Sequence, residues 1–332
     1  MFRLIPFGSL LLSLFLQVSC GIPSVKEPVK KQLVIASDFL DYRDRSLFKE
    51  FSKQHNTVIH ILNMPVDSIL GKLKKEGYTT RIDLVILQSS LDLCSFQENG
   101  LLQRLLDPSE RPALPYRFRD KDNCWFGLAM DPYIIVQKQD SLKRLNNYTD
   151  LTKSGNWTTD LIENSELTAL FTPFAHRYRE TKGNGLRSMV NACFDREINF
   201  QRPGDSTYYF PPLLTKYSQF YSDSTLYRSG YRKARIVFPG QNKGGVHYEL
   251  RGAGIVKQAR NYSAAVGFLN YYTQQRNNEK LNNWWNTFPV TRSMDRAFTY
   301  QNKRFKVYPV ATSDLCAYKV RAEAVIRSTR KK

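Results

Sequence analysis

Apolar and polar segments alternate along the first hundred residues that follow Lys31. Apolar runs over 32–37 and 83–87 predict buried strands, because a strand covered on both faces shows no polar alternation. A further strand is predicted over 57–62. Between and after them, apolar residues at helical spacing predict helices over 46–54, 69–76 and 91–96. This alternation of strands and helices is typical of an α/β unit with a mainly parallel sheet.

The later chain is less regular. Two strands are predicted over 125–128 and 133–136, separated by 129–132. An aromatic-rich stretch follows, and then come a strand over 235–239, a glycine-rich segment over 240–254, a helix over 262–275 and a helical region around 318–328. Ligands of parallel α/β sheets collect beyond the carboxyl ends of the strands. The loops in that position begin here at Ser37-Asp38 and at Gln88-Ser89.

The N-terminus has the form of an export signal. Arg3 precedes an apolar run, Leu10 to Leu16, that is too short to span a bilayer. Val18-Ser19-Cys20-Gly21 resembles the lipobox of bacterial lipoproteins, which implies a lipid on Cys20. We therefore predict a signal peptide over 1–19, a lipidated tether over 20–31 and anchoring to a membrane. An ordinary cleaved signal peptide, with Cys20 in a disulfide, and a buried N-terminal anchor are the alternatives.

Composition limits the classes of partner that the chain is expected to bind. The content of hydrophobic (42%) and aromatic (13%) residues indicates a folded chain, and the net charge is +19. The Lys and Arg residues are spread along the chain without a compact basic block, so nucleic acid is not an expected partner. A basic surface near anionic lipid and an anionic ligand are the two remaining explanations of the charge.

Four cysteines remain once Cys20 is set aside, and they allow one or two disulfides whose pairing stays open: Cys94, Cys124, Cys193 and Cys316. Their spacing is not that of a zinc site. The sequence has no GxSxG, P-loop, dinucleotide fingerprint or HExxH motif, and with four histidines it predicts no catalytic site.

The order of several passages resembles the type II solute-binding proteins of bacterial ABC importers, specifically their ferric-iron-binding branch. The clearest is Phe238 to Ile255, similar to that branch's FP-x-Q-x-x-G-x-H-x-N-x-x-GAG passage. Leu33 to Phe48, Asp83 to Leu102 and Phe288-Pro289-Val290 fall in the same order. Together the similar passages cover most of residues 31 to 330.

The resemblance implies two α/β lobes joined by crossing strands, with ligand held in the cleft and trapped by hinge closure. Lobe 1 would comprise 31–128 plus 244–292, and lobe 2 would comprise 129–243 plus 293–332. It also implies a periplasmic or cell-surface location, with a permease in the cytoplasmic membrane as partner.

The ligand that the resemblance implies is ferric iron. The iron would be the transported ligand, and no resident cofactor is expected. The branch's tyrosine pair would be Tyr208 and Tyr209, whereas its first-loop ligand falls at Leu40 or Asp41 and its glutamate falls at Gln88. Asp41 or Tyr42 would then supply the missing oxygen ligand. Other expected contacts are the loop residues Ser37, Asp38, Gln88 and Ser89.

Two other interpretations of the binding site remain open. The same scaffold can take an organic anion such as a sugar phosphate or phosphonate, through Ser side chains and N–H groups at helix N-termini. A surface lipoprotein with a degenerate binding site is the second.

Overall fold

The computed structural model describes residues 30–139, 144–154, 157–161, 163–180, 184–194, 212–222, 234–291, 298–301 and 303–330. The predicted signal peptide, the lipidation site Cys20 and nearly all of the tether lie outside these residues. Residues 31–332 form one compact unit. None of the described helices is both long and apolar enough to cross a membrane.

The unit is of the predicted α/β class. Its strands are β1 (Lys31–Ser37), β2 (Thr57–Asn63), β3 (Leu84–Leu87), β4 (Phe126–Lys138), β5 (Thr158–Thr159), β6 (Leu213–Lys216), β7 (Ala234–Val237), β8 (Tyr248–Ile255), β9 (Phe298–Tyr300) and β10 (Lys303–Phe305). Its α-helices are α1 (Lys49–Gln54), α2 (Val66–Glu76), α3 (Ser90–Glu98), α4 (Tyr148–Ser154), α5 (Asn164–Arg177), α6 (Asn184–Phe194), α7 (Tyr217–Ser222), α8 (Tyr262–Tyr272), α9 (Gln275–Trp285) and α10 (Thr312–Arg330). Short 3-10 helices lie at Tyr42–Arg45, Gly77–Thr79 and Tyr116–Phe118.

The main sheet has the order β2-β1-β3-β8-β4-β6-β5, with β7 also paired to β4. The pairs β1–β2, β1–β3 and β5–β6 are parallel, and the antiparallel pairs of this sheet all involve β4 or β8. Because β1 and β3 are parallel, their carboxyl ends lie at the same edge, and the two predicted ligand loops therefore leave the sheet side by side.

Strand β4 corrects the sequence interpretation. The two strands predicted over 125–128 and 133–136 are one continuous strand, with a register shift between Gly127 and Ala129. Its first half pairs with β8 as far as Pro132, and from Tyr133 it pairs with β6 and β7. Asp131, which lies within the predicted break, is fully buried in the strand. Thus β4 joins the two halves of the sheet.

The glycine-rich segment was also misread, because a strand begins inside it at Tyr248. Only its first part is a turn, and glycine is required there. Gly245 has φ +93°, and a Cβ on it would lie 2.6 Å from the backbone of Val307. Gly240 has φ +80°, and a Cβ there would lie 2.7 Å from the carbonyl oxygen of Gly245.

A disulfide settles part of the cysteine pairing. It joins Cys94 in α3 to Cys316 in α10, 222 residues apart in sequence, with the Cα atoms 6.1 Å apart. Cys124 is free and buried, and burial raises the pKa of its thiol to about 12. The side chain of Cys193 lies outside the described part of the chain. Helix α10 packs against α5 and α6 as well as α3, so the bond ties distant parts of the chain together.

Candidate ligand cleft

The loop after β1 is ordered by its own side chains. The fully buried Ser37 accepts hydrogen bonds through Oγ from the N–H groups of Phe39 (3.3 Å) and Leu40 (3.2 Å). Further along, the N–H of Asp41 donates to Asp44 Oδ2 (2.9 Å). Tyr42 begins a 3-10 helix, and its side chain lies outside the described atoms. The turn holds the backbone after β1 in one conformation, which fixes where Asp38 lies.

The two predicted ligand loops are in direct contact. Asp38 Oδ1 accepts a hydrogen bond from the N–H of Gln88, at 2.9 Å. Ser89 follows at once and is the residue before the first turn of α3. Of the residues predicted from sequence, the structure therefore brings together Asp38, Gln88 and Ser89.

The carboxyl group of Asp38 is perturbed by this position. Burial raises its pKa to about 6, and the negative charge of Asp92 adds to that rise. The N–H of Gln88 and the charge of Arg251 act in the opposite direction. Asp38 is therefore protonated in mildly acidic conditions and ionised at neutral pH, where its oxygen atoms become good ligands for a cation.

This shift has a consequence for stability. Since the folded state holds the Asp38 proton more tightly than the unfolded chain, this group stabilises the fold at low pH and that stabilisation is lost as the pH rises from about 4 to about 6. We expect Asp38→Asn, which keeps an oxygen acceptor for Gln88, to show a flatter fall of unfolding free energy across this window in urea titrations. Asp41→Asn is the matched control on the same loop, and an unchanged slope in Asp38→Asn would contradict the assignment.

A cavity of about 250 Å³ lies beside these loops. Its walls come from the first turns of α2, α3 and α5 and from one face of α10, with these polar and charged lining residues: Asp67, Ser89, Asp92, Asn164, Ser165, Thr168, Lys319, Glu323 and Arg327. Lys319 Nζ donates to Asp92 Oδ1 (2.9 Å) and to Ser95 Oγ (3.3 Å). Helix N-termini carry partial positive charge, so the cavity combines anion-binding groups with carboxylates.

Beside the loop after β1, an arginine is held by groups from several elements. Arg251 of β8 donates from Nη2 to Asp131 Oδ2 of β4 (3.3 Å) and to Ser218 Oγ of α7 (2.9 Å). Its guanidinium carbon lies 5.1 Å from the ring centroid of Phe39 and 5.6 Å from that of Trp285. The contacts of Arg251 therefore connect the loop after β1, through the central strands, to the start of α7.

A second buried cation lies next to this arginine. Lys216 Nζ, at the end of β6, is 2.8 Å from Glu166 Oε1 and 3.2 Å from Glu249 Oε2. Burial raises the pKa of Glu249 to about 7, against the opposing attraction of Lys216. The negative charges of Asp131 and Glu166 add to the effect of burial, so the Glu249 carboxyl is partly protonated near neutral pH.

Three tyrosines cluster where β6 passes into α7. The hydroxyl oxygens of Tyr221 and Tyr300 are 2.6 Å apart, and the ring centroids of Tyr217 and Tyr300 are 5.8 Å apart. Burial raises the pKa of Tyr217 to about 12. The sequence showed this stretch only as aromatic-rich. The ring of Tyr217 packs against Phe238 and Phe288 as well as Tyr300, so this group is an aromatic cluster at the start of α7.

The predicted metal ligands Tyr208 and Tyr209 lie outside the described residues. Within the described ranges, no cluster of three or more His, Cys, Asp or Glu residues is arranged to hold a metal ion. His247, in the glycine-rich passage, is fully buried, with Nδ1 3.3 Å from the carbonyl oxygen of Leu170. Burial lowers the pKa of its imidazole to about 3, which indicates a neutral side chain in the core.

Comparison with solved structures decides the fold. A Trichodesmium protein (IdiA, FutA), in complex with iron and citrate ligands, superposes with a TM-score of 0.73 at 19% identity, covering 91% of this chain and 100% of the other. The ferric binding protein from Campylobacter jejuni gives 0.74 at 18% identity, over 90% and 99%. This chain has the type II periplasmic-binding-protein fold. A third protein of this fold, AfuA from Actinobacillus pleuropneumoniae with fructose-6-phosphate bound, gives 0.64 at 15% identity, over 90% and 97%.

Relatives found by sequence are consistent with this fold. Iron uptake protein A1 of Synechocystis is 23% identical over 295 residues, which cover 81% of this chain and 78% of that protein. Iron uptake protein A2 of the same organism is 20% identical, over 74% of each chain. No protein-family model matches the chain.

Proposed function

We propose that this protein is an extracytoplasmic solute-binding protein of an ABC importer, that it captures ferric iron in the cleft, and that it has no catalytic activity. The observation that carries the proposal is the fold, which this chain shares over 90% or more of its length with proteins described as binding ferric iron or iron. The iron uptake proteins of Synechocystis support it through the sequence.

The chemistry of the cleft is compatible with this cargo. Ferric iron is a hard cation that prefers oxygen ligands, and Asp38 offers a carboxylate where the two ligand loops meet. Asp41, on the loop after β1, stays a proposed ligand. Tyr208 and Tyr209 remain the proposed tyrosine pair. Because phenols must lose their protons to bind metal, we expect iron affinity to rise with pH.

The organic-anion alternative is favoured by one observation. The cavity is bordered by the first turns of α3 and α5 and by Lys319, a combination suited to a phosphate or carboxylate group. AfuA, with fructose-6-phosphate bound, shows that the fold accommodates such a ligand. An iron–anion complex would use both kinds of group.

Ferric citrate added to chelator-stripped protein tests the proposal. We expect a visible phenolate-to-iron charge-transfer band that saturates at one iron per chain. Tyr208→Phe with Tyr209→Phe should abolish the band, and Tyr217→Phe, tested in parallel, shows whether the phenol cluster after β6 contributes. If no band forms and fructose 6-phosphate instead raises the melting temperature, the iron proposal fails and the organic anion replaces it.

We further propose that the chain is exported and anchored through lipid on Cys20, with the lobe boundaries given by the sequence resemblance. In that assignment α3 lies in lobe 1 and α10 in lobe 2. Metabolic labelling with palmitate tests the anchor, since Cys20→Ser should lose both the label and the membrane association.

A further inference from the structure

The amino ends of the central parallel strands form a surface that the proposed ligand cleft does not use. Strand β1 begins at Lys31, next to Thr57 at the start of β2. The segment before β3 runs alongside, since the N–H of Asp83 donates to the carbonyl oxygen of Val34 (2.9 Å). The end of β8 joins them, because the N–H of Val256 donates to the carbonyl oxygen of Asp83 (2.9 Å).

This surface, which we call the basic end, carries exposed positive side chains from four segments: Lys31, Lys53, Arg81, Lys257 and Arg260. The segments are 31–32, 53–58, 77–83 and 255–261, and all of their residues are described. Their single acidic residue is Asp83, which is fully buried and accepts hydrogen bonds from Val34 and Asn261. No described carboxylate pairs with Lys31, Arg81 or Lys257. The basic end therefore presents unneutralised charge.

An aromatic side chain stands among these cations. Tyr78 is 88% exposed, the most exposed of the large hydrophobic side chains in the described structure. Its loop is held in place by Arg260, whose Nη2 donates to the carbonyl oxygen of Thr79 (2.9 Å). An exposed tyrosine on a fixed loop leaves the apolar surface of its ring in contact with water. Tyrosine is enriched at the interface between membrane and water.

The acidic side chains nearest to the basic end lie at its edge, and each of them has a hydrogen-bond or ion-pair partner. Glu76 is half-buried and bonded to Lys72. Asp107 accepts hydrogen bonds from Ser109, and Glu110 accepts one from Tyr262. Arg104 lies nearby but is 3.5 Å from Asp122, so it is not counted with the basic end.

We propose that the basic end docks on an anionic lipid surface. The charge is complementary to anionic headgroups, and Tyr78 supplies an interfacial anchor between the cations. The chain before Lys31, where the proposed lipid anchor lies, joins the body at this same end. The ligand loops leave the opposite ends of β1 and β3, so this orientation keeps them clear of the lipid.

Binding to vesicles tests the surface without any ligand or acyl chain. The protein from residue 21 onward, which contains the compact unit 31–332, is sedimented with phosphatidylcholine vesicles with and without phosphatidylglycerol. We expect binding only to the anionic vesicles, and its loss as salt rises from about 0.1 M to about 1 M. Arg81→Glu with Lys257→Glu should weaken binding by at least about fivefold for each position.

A second pair of charge reversals distinguishes binding through the basic end from a general effect of the protein's net charge. Lys303→Glu with Arg304→Glu changes the total charge equally, on exposed residues of β10, and should leave binding nearly unchanged. Tyr78→Ser should weaken vesicle binding severalfold and leave binding to soluble polyglutamate unchanged. Equal losses in the two charge-reversed proteins, absence of binding to anionic vesicles, or an unaffected Tyr78→Ser would each overturn the proposal. None of these outcomes bears on iron capture.

Discussion

Replacing Cys94 and Cys316 by alanine is expected to lower the free energy of unfolding by about 2–5 kcal/mol. The disulfide closes a loop of 222 residues, so it restricts the unfolded chain strongly, and it joins α3 to a C-terminal helix that packs mainly against α5 and α6. Urea unfolding of the double variant beside the oxidised protein measures the difference.

The control for this prediction is the reductant itself. Dithiothreitol should lower the stability of the parent protein towards that of the double variant, and it should leave the double variant unchanged. A parent protein whose urea midpoint does not move when Cys94–Cys316 is reduced would show that the disulfide is not a determinant of stability.

The second large effect is expected at Lys216. Lys216→Met leaves Glu249, which is only 3% exposed, without the cation 3.2 Å away, and removal of one partner from a buried ionic group costs about 3–5 kcal/mol. Because the unpaired Glu249 can take up a proton, the loss should be smaller at pH 5 than at pH 8. Urea titrations at pH 5 and at pH 8 measure the loss of unfolding free energy at each pH.

Two further variants make the test at Lys216 specific. Glu249→Gln added to Lys216→Met should recover part of the loss, which a double-mutant cycle quantifies. Lys280→Met removes an ion pair of similar length, 2.9 Å from Glu50, whose side chains are 47% and 59% exposed, and it should cost much less than Lys216→Met because solvent screens the pair. Equal losses in Lys216→Met and Lys280→Met would contradict the account of the buried network.

The sequence predicted the first half of the fold because β1 is apolar from Leu33 onward and β3 is apolar throughout, and their loops are marked by Ser37-Asp38 and Gln88-Ser89. It failed at β4, where 129–132 was taken to separate two strands, and at the start of β8, which lies inside the glycine-rich segment. Asp131, Glu249 and Arg251 are buried because they neutralise one another and Lys216 across strands, and such partners are distant in sequence. The pairing of Cys94 with Cys316 was left open for the same reason.

The candidate site was predicted only in part. The contact between Asp38 and Gln88 follows from two neighbouring parallel strands, which the pattern indicated. The position of Lys319 at the cavity could not be predicted, because it depends on how α10 packs against elements far away along the chain. Tyr208 and Tyr209 stay a prediction.

The central claim is that the protein carries ferric iron, and its most direct test is the mass of the protein as cells make it. Native mass spectrometry of protein isolated from its own cells, without added ligand, should show an adduct of one iron atom, alone or with a small anion, that is lost on treatment with a strong chelator. An adduct of an organic phosphate without iron, or a protein free of any adduct, would contradict the claim.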